Sequence, residues 1–246
     1  MPTFTPVTAS QTFTGADADP IGSNFTQLRD LGWGSVARIK SNKLAGHYAT
    51  AGANDTTTQT RLVVYLWAGA GSFSADQYCT FTISNLAVSG ASSRGGGIVR
   101  SASGTDAASA FYACYVCDDD TGSGSTVVIL KVNGTMAGTV LDSRRLTIAN
   151  GDILTFGVQG SSSAVLTLYV NAVASASTYT DSSSPLTTGK PGLYLASDES
   201  TGTLTGPALD DWIAGDVTAG STSAALSGSA LTGGSGTQAP GTTIGL

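Results

Sequence analysis

Residues 165–173 read VLTLYVNAV. Leu166, Leu168 and Val170 recur with a period of two, and Thr167, Tyr169 and Asn171 fill the alternate positions. In an extended chain successive side chains point to opposite faces, so this pattern is a β-strand with one face made for a core. The other face is too polar for a second core and too plain for catalysis. Tyr169 on that face is expected to meet a ligand or a neighbouring subunit.

Similar runs lie on either side. TRLVVYLWA (60–68), QYCTFTISNLAV (77–88), GGIVRS (96–101), SAFYACYV (109–116) and STVVILKVNG (125–134) precede it. DILTFGVQG (152–160), KPGLYLAS (190–197) and PALDDWIAGDV (207–217) complete the set. DDDTGSGS (118–125), ANGD (149–152) and GSSS (160–163) separate them as turns. No segment of helical length keeps a 3.6-residue period. The pattern predicts an all-β chain built as a two-sheet antiparallel sandwich.

Composition supports a folded domain and narrows its partners. The chain has 246 residues, 32 of them Gly, and only 11% charged. That length suits one large β domain with a sizeable core. No apolar stretch approaches the 18 or so residues of a membrane span, so no membrane insertion is expected. A net charge of −6 opposes a nucleic-acid partner, which needs a basic patch against phosphate. Arg144 and Arg145 are the only adjacent basic pair and read as a solvated strand end. The opening MPTFTPVTAS has neither a charged nor an apolar signal region, which predicts synthesis without secretory export.

Three cysteines, Cys79, Cys114 and Cys117, cannot form a complete disulfide framework. Cys114 and Cys117 have redox-motif spacing but lie in an alternating run, where positions three apart face opposite ways. Structural thiols are expected. After Asp216 the composition changes: residues 217–246 contain no charge and no aromatic. The division expected is an N-terminal arm at 1–10, a sandwich at 11–217 and a Gly/Ser/Thr-rich segment at 218–246. That last segment keeps apolar residues at intervals and is read as an arm docked on a neighbour, the alternative being a linker.

Two segments carry a resemblance. QTFTGADADPIGSNFTQLRDLGWGSVARIKSNKLAG near the start looks like an opening strand, a turn, a Trp-containing strand and then an I-x-x-N-x-L-x-G strand (Ile39, Asn42, Leu44, Gly46). LDDWIAGDV near the end looks like a terminal strand that pairs beside the first. With ILTFGVQGSSSAVLTLYVNAVASASTYTD between them, the order of segments over 11–217 resembles the concanavalin A-like lectin/glucanase superfamily, particularly laminin-G-like jelly rolls. The family often has Asn-Gly at the hairpin where this chain has Asn171-Ala172, which weakens a tight type I′ turn.

The resemblance implies either a lectin or a glucanase. Retaining hydrolysis needs two carboxyl groups about 5–5.5 Å apart. The family's E-x-D-x-x-E strand is absent, and Glu199 is the sole glutamate. His47 is the sole histidine, and no G-x-S-x-G elbow accompanies it. A lyase using His47 and Tyr48 is the remaining catalytic option, so a polysaccharide hydrolase or lyase ranks third and no enzyme is expected.

Calcium needs six to eight oxygens. Asp118 and Asp120 in the DDDTGSG turn are candidate ligands from the residues, and Asp210 is the candidate that the resemblance implies; no other cofactor is expected. Sugar binding needs aromatic faces and hydrogen-bonding groups, for which Trp33, Trp67, Tyr115, Tyr169 and Arg100 are the candidates, with Tyr65 and Tyr112 beside them. Alternation puts Tyr112 with Cys114 and Tyr115 with Cys117, so some of these rings must be core.

The leading functional expectation is a non-enzymatic virion structural, decoration or fibre protein of a bacteriophage, self-associated, with a trimer as the guess, and bound to other virion proteins. Surface glycans are its possible ligands. The alternative is a free carbohydrate-binding module or lectin of a bacterial surface protein, extracellular rather than virion-borne.

Overall fold

A computed structural model describes residues 3–14, 21, 23–30, 35–48, 62–86, 94–102, 109–118, 125–134, 138–196 and 207–218. Trp33, Asp120, Glu199 and the segment 219–246 lie outside the described residues, as do the side chains of His47, Tyr48 and Asp118.

Two antiparallel sheets face each other. The first has eight strands: β1 (Thr3–Gln11), β3 (Ser35–Lys40), β4 (Lys43–Tyr48), β6 (Gln77–Asn85), β11 (Ile153–Gln159), β12 (Ala164–Val170), β13 (Val173–Asp181) and β15 (Ala208–Thr218). Its order is β13-β12-β11-β6-β15-β4-β3, with β1 also paired to β15. The second has seven strands: β2 (Phe25–Asp30), β5 (Leu62–Trp67), β7 (Arg94–Ser101), β8 (Ala110–Asp118), β9 (Ser125–Asn133), β10 (Gly138–Leu146) and β14 (Lys190–Ala196). Its order is β10-β9-β8-β7-β14-β5-β2. This is the predicted all-β, two-sheet antiparallel jelly-roll sandwich. No helix among the described residues is long and apolar enough to cross a membrane.

Alternation places the core. Leu166 and Leu168 of β12 are fully buried, as are Leu154 and Phe156 of β11 and Cys79 and Phe81 of β6. They pack against Val63, Tyr65, Val99, Tyr112, Cys114, Val127 and Ile129 of the seven-stranded sheet. Fully burying an aliphatic or aromatic side chain of this size contributes roughly 1.5–3 kcal/mol. Trp67 and Trp212 stack at 5.4 Å between the sheets, with Phe25 edge-on to both. Gly97 of β7 is needed where it stands, since a Cβ there would meet Cys79 Sγ at 2.4 Å.

The far side of the seven-stranded sheet holds a second buried cluster, including Phe111, Ala113, Tyr115, Val128, Leu130 and Tyr194. Cys117 packs on this cluster while Cys114 is in the main core. The opposed facing expected of these thiols is what the strand produces, and none of the three cysteines is in a disulfide.

Three details differ from expectation. Residues 3–11 form β1, paired to β15 of their own chain from Thr3↔Thr218 to Gln11↔Trp212, so the boundary drawn after residue 10 falls inside a strand. The last strand does pair beside the first, as the resemblance implied. The I-x-x-N-x-L-x-G segment is a hairpin rather than a strand: Ser41 and Asn42 have φ of 52° and 61° and join β3 to β4. Asn171 and Ala172, with φ of 50° and 66°, adopt the left-handed pair of a type I′ turn without glycine. Asn171 compensates: its Oδ1 accepts from Ile153 N (2.9 Å) and its Nδ2 donates to Asp152 Oδ1 (2.8 Å).

Candidate functional site

The segment leading into β6, Phe73–Asp76, is polar and turns tightly. Ser74 N donates to Asp216 Oδ1 (2.8 Å), and Ser74 Oγ donates to the Asp76 carbonyl (2.6 Å). That carbonyl also accepts from Val217 N (2.8 Å), tying the turn to β15. Beside it, the β11–β12 turn begins at Gly160, whose φ of 86° and close approach to Ser163 O leave no room for a side chain. The two turns and β15 border a shallow, open cleft of about 400 Å³ lined by Ser74, Ala75, Asp76, Gly160, Ser161 and Val217. Ligand sites commonly occupy about 300–1,000 Å³.

Arg100 builds the floor. It is fully buried at φ 51°, an irregular point where β7 departs from β14. Its Nε donates to Ala75 O (2.6 Å), its Nη1 to Leu186 O (2.6 Å) and its Nη2 to Gly160 O (2.7 Å). Nη2 also lies 3.4 Å from Asp76 Oδ1. Burial pulls the guanidinium pKa down, and Asp76 and Tyr112 act in the opposite sense. Gln77 completes the floor: its Oε1 accepts from Arg100 N, and its Nε2 donates to Ser74 O and Gly189 O.

Asp76 is the polar group this scaffold presents. Its Oδ1 accepts from Gly160 N (2.8 Å) and faces Arg100, while its side chain remains 37% exposed. Among the described residues Oδ2 has no partner. The carboxylate is therefore held by one oxygen and open at the other, in a cleft also lined by Ser74, Ser161 and Val217. The donors of Arg100 named above go to protein acceptors and its side chain is fully buried, so Arg100 supports the cleft from within rather than facing it. The arrangement suits hydroxyl-bearing, uncharged ligands.

A second polar cluster closes the same loop system. Lys131 Nζ and Tyr112 Oη both donate to Asp181 Oδ2 at 2.6 Å, deep between the sheets. Lys131 also donates to Ser183 O and Ser184 O, and Tyr112 Oη accepts from Leu186 N. Burial raises the Asp181 pKa, but hydrogen bonds from Lys131, Tyr112 and Ser183 outweigh it, and the carboxyl lies below its ordinary range. The loop 181–189 is thus gripped by Lys131 at one end and Arg100 at the other.

The residues singled out from sequence are scattered. Trp67 is in the main core, with its indole donating to Ala70 O (3.3 Å). Tyr65 and Tyr112 are core residues as well, and Tyr65 Oη accepts from Ala37 N (3.1 Å). Tyr115 is 5% exposed, stacked on Tyr194 at 4.9 Å with Arg94 over its ring, and burial pushes its phenol up to about 12. Tyr169 is 9% exposed because the Phe4 ring packs edge-on against it at 5.1 Å. Of the described members of the group, only Arg100 is tied to the cleft, through its contacts to Ala75, Asp76 and Gly160.

Asp210 Oδ1 accepts from Asp211 N (2.9 Å). Among the described residues no three His, Cys, Asp or Glu side chains converge as a metal would require. Asp76 had no motif to announce it. Its one signal is the polar SADQ immediately before an alternating apolar run, the mark of a strand entered through a hydrogen-bonded turn.

The fold is an all-β, two-sheet antiparallel jelly-roll sandwich. Solved structures similar to the chain include a lectin from Bauhinia forficata in complex with GalNAc, at 11% identity and a TM-score of 0.49, over 86% of this chain and 98% of that one. They also include the potassium-bound carbohydrate recognition domain of Emp46p, at 9% identity and 0.47, over 79% and 89%. A third is the CBM2 module of the evolved Dit of Lactobacillus casei BL23 phage J-1, at 10% identity and 0.44, over 79% and 96%. No protein-family model matches this chain, and no curated protein does.

Proposed function

We propose that the chain is a non-enzymatic carbohydrate-binding module whose ligand is a neutral glycan, held in the cleft by Asp76. The half-open Asp76 carboxylate carries this reading: one oxygen is fixed by Gly160 and the other is free to accept from a pair of sugar hydroxyls. Ser74 and Ser161 supply further hydroxyls at the cleft edge. Hydrolysis uses two carboxyl groups across a scissile bond, and among the described residues this cleft is lined by one.

The test is a glycan array followed by calorimetry on Asp76→Asn. The amide oxygen of Asn keeps the Gly160 bond while losing the charge that strengthens hydrogen bonds to hydroxyls, about 1–2 kcal/mol or roughly tenfold in affinity. An array without a neutral-glycan hit, or a hit whose affinity ignores Asp76→Asn, sinks the reading.

A second reading mounts the same module on a virion, with calcium as an optional structural ion and other virion proteins as partners. It draws on the uncharged composition of residues 217–246. Finding the chain absent from purified particles removes it.

A further inference from the structure

We infer that Gln159 and Phe4 complete the Asp76 cleft as a pyranose site, an assignment that rests on the carbohydrate reading of Asp76. Gln159 donates to a sugar hydroxyl, and the Phe4 ring carries an apolar sugar face. The ligand class this selects is a neutral pyranose with two adjacent hydroxyls.

Strand pairing brings the groups together. β11 pairs with β6 as far as Val158↔Gln77, so Gln159 falls beside Asp76, and the amide of the next residue, Gly160, already donates to Asp76 Oδ1. Val158 is fully buried, so alternation turns Gln159 to the outer face, where its cross-strand partner Val165 is 43% exposed. On the other flank Val217 N donates to the Asp76 carbonyl, and Val217 pairs with Phe4. The Phe4 ring then reaches back across the face. It packs on Tyr78 at 4.9 Å and on Tyr169 at 5.1 Å, and a Cβ built on Gly157 would lie 3.7 Å from its Cε1. The ring therefore covers Gly157, two residues before Gln159 on the same face, or about 7 Å along the strand.

Complementarity assigns the roles. An ionised carboxylate only accepts, so it can take a proton from one sugar hydroxyl but give none to the next. The Arg100 donors go to protein acceptors. Gln159 is half-buried, and its amide makes no hydrogen bond among the described residues, so its two N–H donors remain for a ligand. Phe4 is also half-buried, held by the two tyrosines on one side and open on the other. A pyranose has a polar edge of hydroxyls and two faces of C–H groups. Lying on the Phe4 ring, it can turn one hydroxyl to Asp76 Oδ2 and the adjacent one to Gln159 Nε2. A sugar carboxylate would instead meet Asp76 and Asp216, which sit either side of the Ser74 turn, so anionic sugars are disfavoured.

The experiment is titration calorimetry of the full chain with the methyl glycosides of glucose, galactose and mannose, and with galacturonic acid as the anionic control. Gln159→Glu keeps the shape but replaces the donor by an acceptor beside Asp76. Phe4→Leu keeps an apolar side chain on the two tyrosines but removes the ring, and circular dichroism checks that both variants stay folded. At least one methyl glycoside is expected to bind, and galacturonic acid is not. Gln159→Glu is expected to weaken that binding about tenfold and Phe4→Leu about threefold to tenfold. Proton NMR of wild type adds a readout free of substitution: the Phe4 ring resonances should shift as the methyl glycoside is added. Binding that weakens in Asp76→Asn but ignores Gln159→Glu and Phe4→Leu overturns this assignment and leaves the Asp76 reading standing. Phe4 resonances that stay in place during binding overturn the platform. No binding of any methyl glycoside, or binding that ignores Asp76→Asn, overturns both readings together.

Discussion

Replacing Asp181 by Asn isolates the buried Lys131–Asp181–Tyr112 cluster. Both charged side chains are nearly sealed, at 7% and 5% exposure, and the Nζ–Oδ2 distance is 2.6 Å. Asn cannot neutralise Lys131, and its Oδ1 can replace at most part of a carboxylate that accepts from Lys131, Tyr112 and Ser183. Breaking one side of a buried pair costs about 3–5 kcal/mol, because the surviving charge is left in low dielectric. At about 2–4 °C per kcal/mol for a chain this long, the melting temperature should fall by roughly 6–20 °C at pH 7.

The pH dependence has a definite sign. The folded pKa of Asp181 is depressed below the unfolded value near 3.9. Its stabilisation is therefore complete above about pH 4 and disappears as pH drops through the folded pKa. Scanning calorimetry of wild type and Asp181→Asn should show a wide gap at neutral pH that narrows in acid. The double change Lys131→Met/Asp181→Leu should recover most of the loss, since an apolar pair leaves no stranded charge. Arg144→Gln is the control: that ion pair is half-exposed at Arg144 and worth at most about 1 kcal/mol. A drop under 3 °C for Asp181→Asn, or a gap unchanged in acid, would refute the reasoning.

Three further outcomes are expected. Ala172→Gly should raise stability by about 1 kcal/mol in urea melts, because Ala172 is held at φ 66° where a Cβ costs about 1–2 kcal/mol; a loss on substitution contradicts the turn geometry. Gly97→Ala should destabilise by about 1–3 kcal/mol in the same assay, through the clash with Cys79 Sγ and the nearby Phe81 ring. Iodoacetamide should add at most one group to the native chain and three to the unfolded one, by mass spectrometry. Cys79 and Cys114 are sealed and burial pushes both thiols up, so Cys117 is the native target.

The strands of the central registers were legible because period-two alternation survives wherever one face is buried. β10 was not: Gly138–Leu146 is an edge strand, exposed along most of its length, so it has no buried face to imprint a pattern. β1 was missed for a related reason. Thr3–Gln11 pairs only with β15 and contains Pro6 at an irregular step, which reads locally as an arm. Site residues fared worse. Trp67 and Tyr115 were plausible sugar platforms by type, yet one is sandwiched by Trp212 and Phe25 and the other by Tyr194 and Arg94. Asp76 escaped notice because its role depends on Gly160 and Arg100, 84 and 24 residues away.

In VLTLYVNAV, local chemistry settled that Leu166 and Leu168 enter a core and that Thr167 and Tyr169 share the opposite face. Periodicity is a property of neighbouring residues, and burial of one face is enough to write it. Whether Tyr169 meets water was decided elsewhere: β1 pairs to β15, and Phe4 is carried across the sheet onto the ring. The same holds for the floor of the cleft. A guanidinium that donates to Ala75, Gly160 and Leu186 needs three loops brought to one point, and only the strand order brings them. Contacts within a strand are short-range and readable; contacts between loops depend on crossovers that leave no local trace.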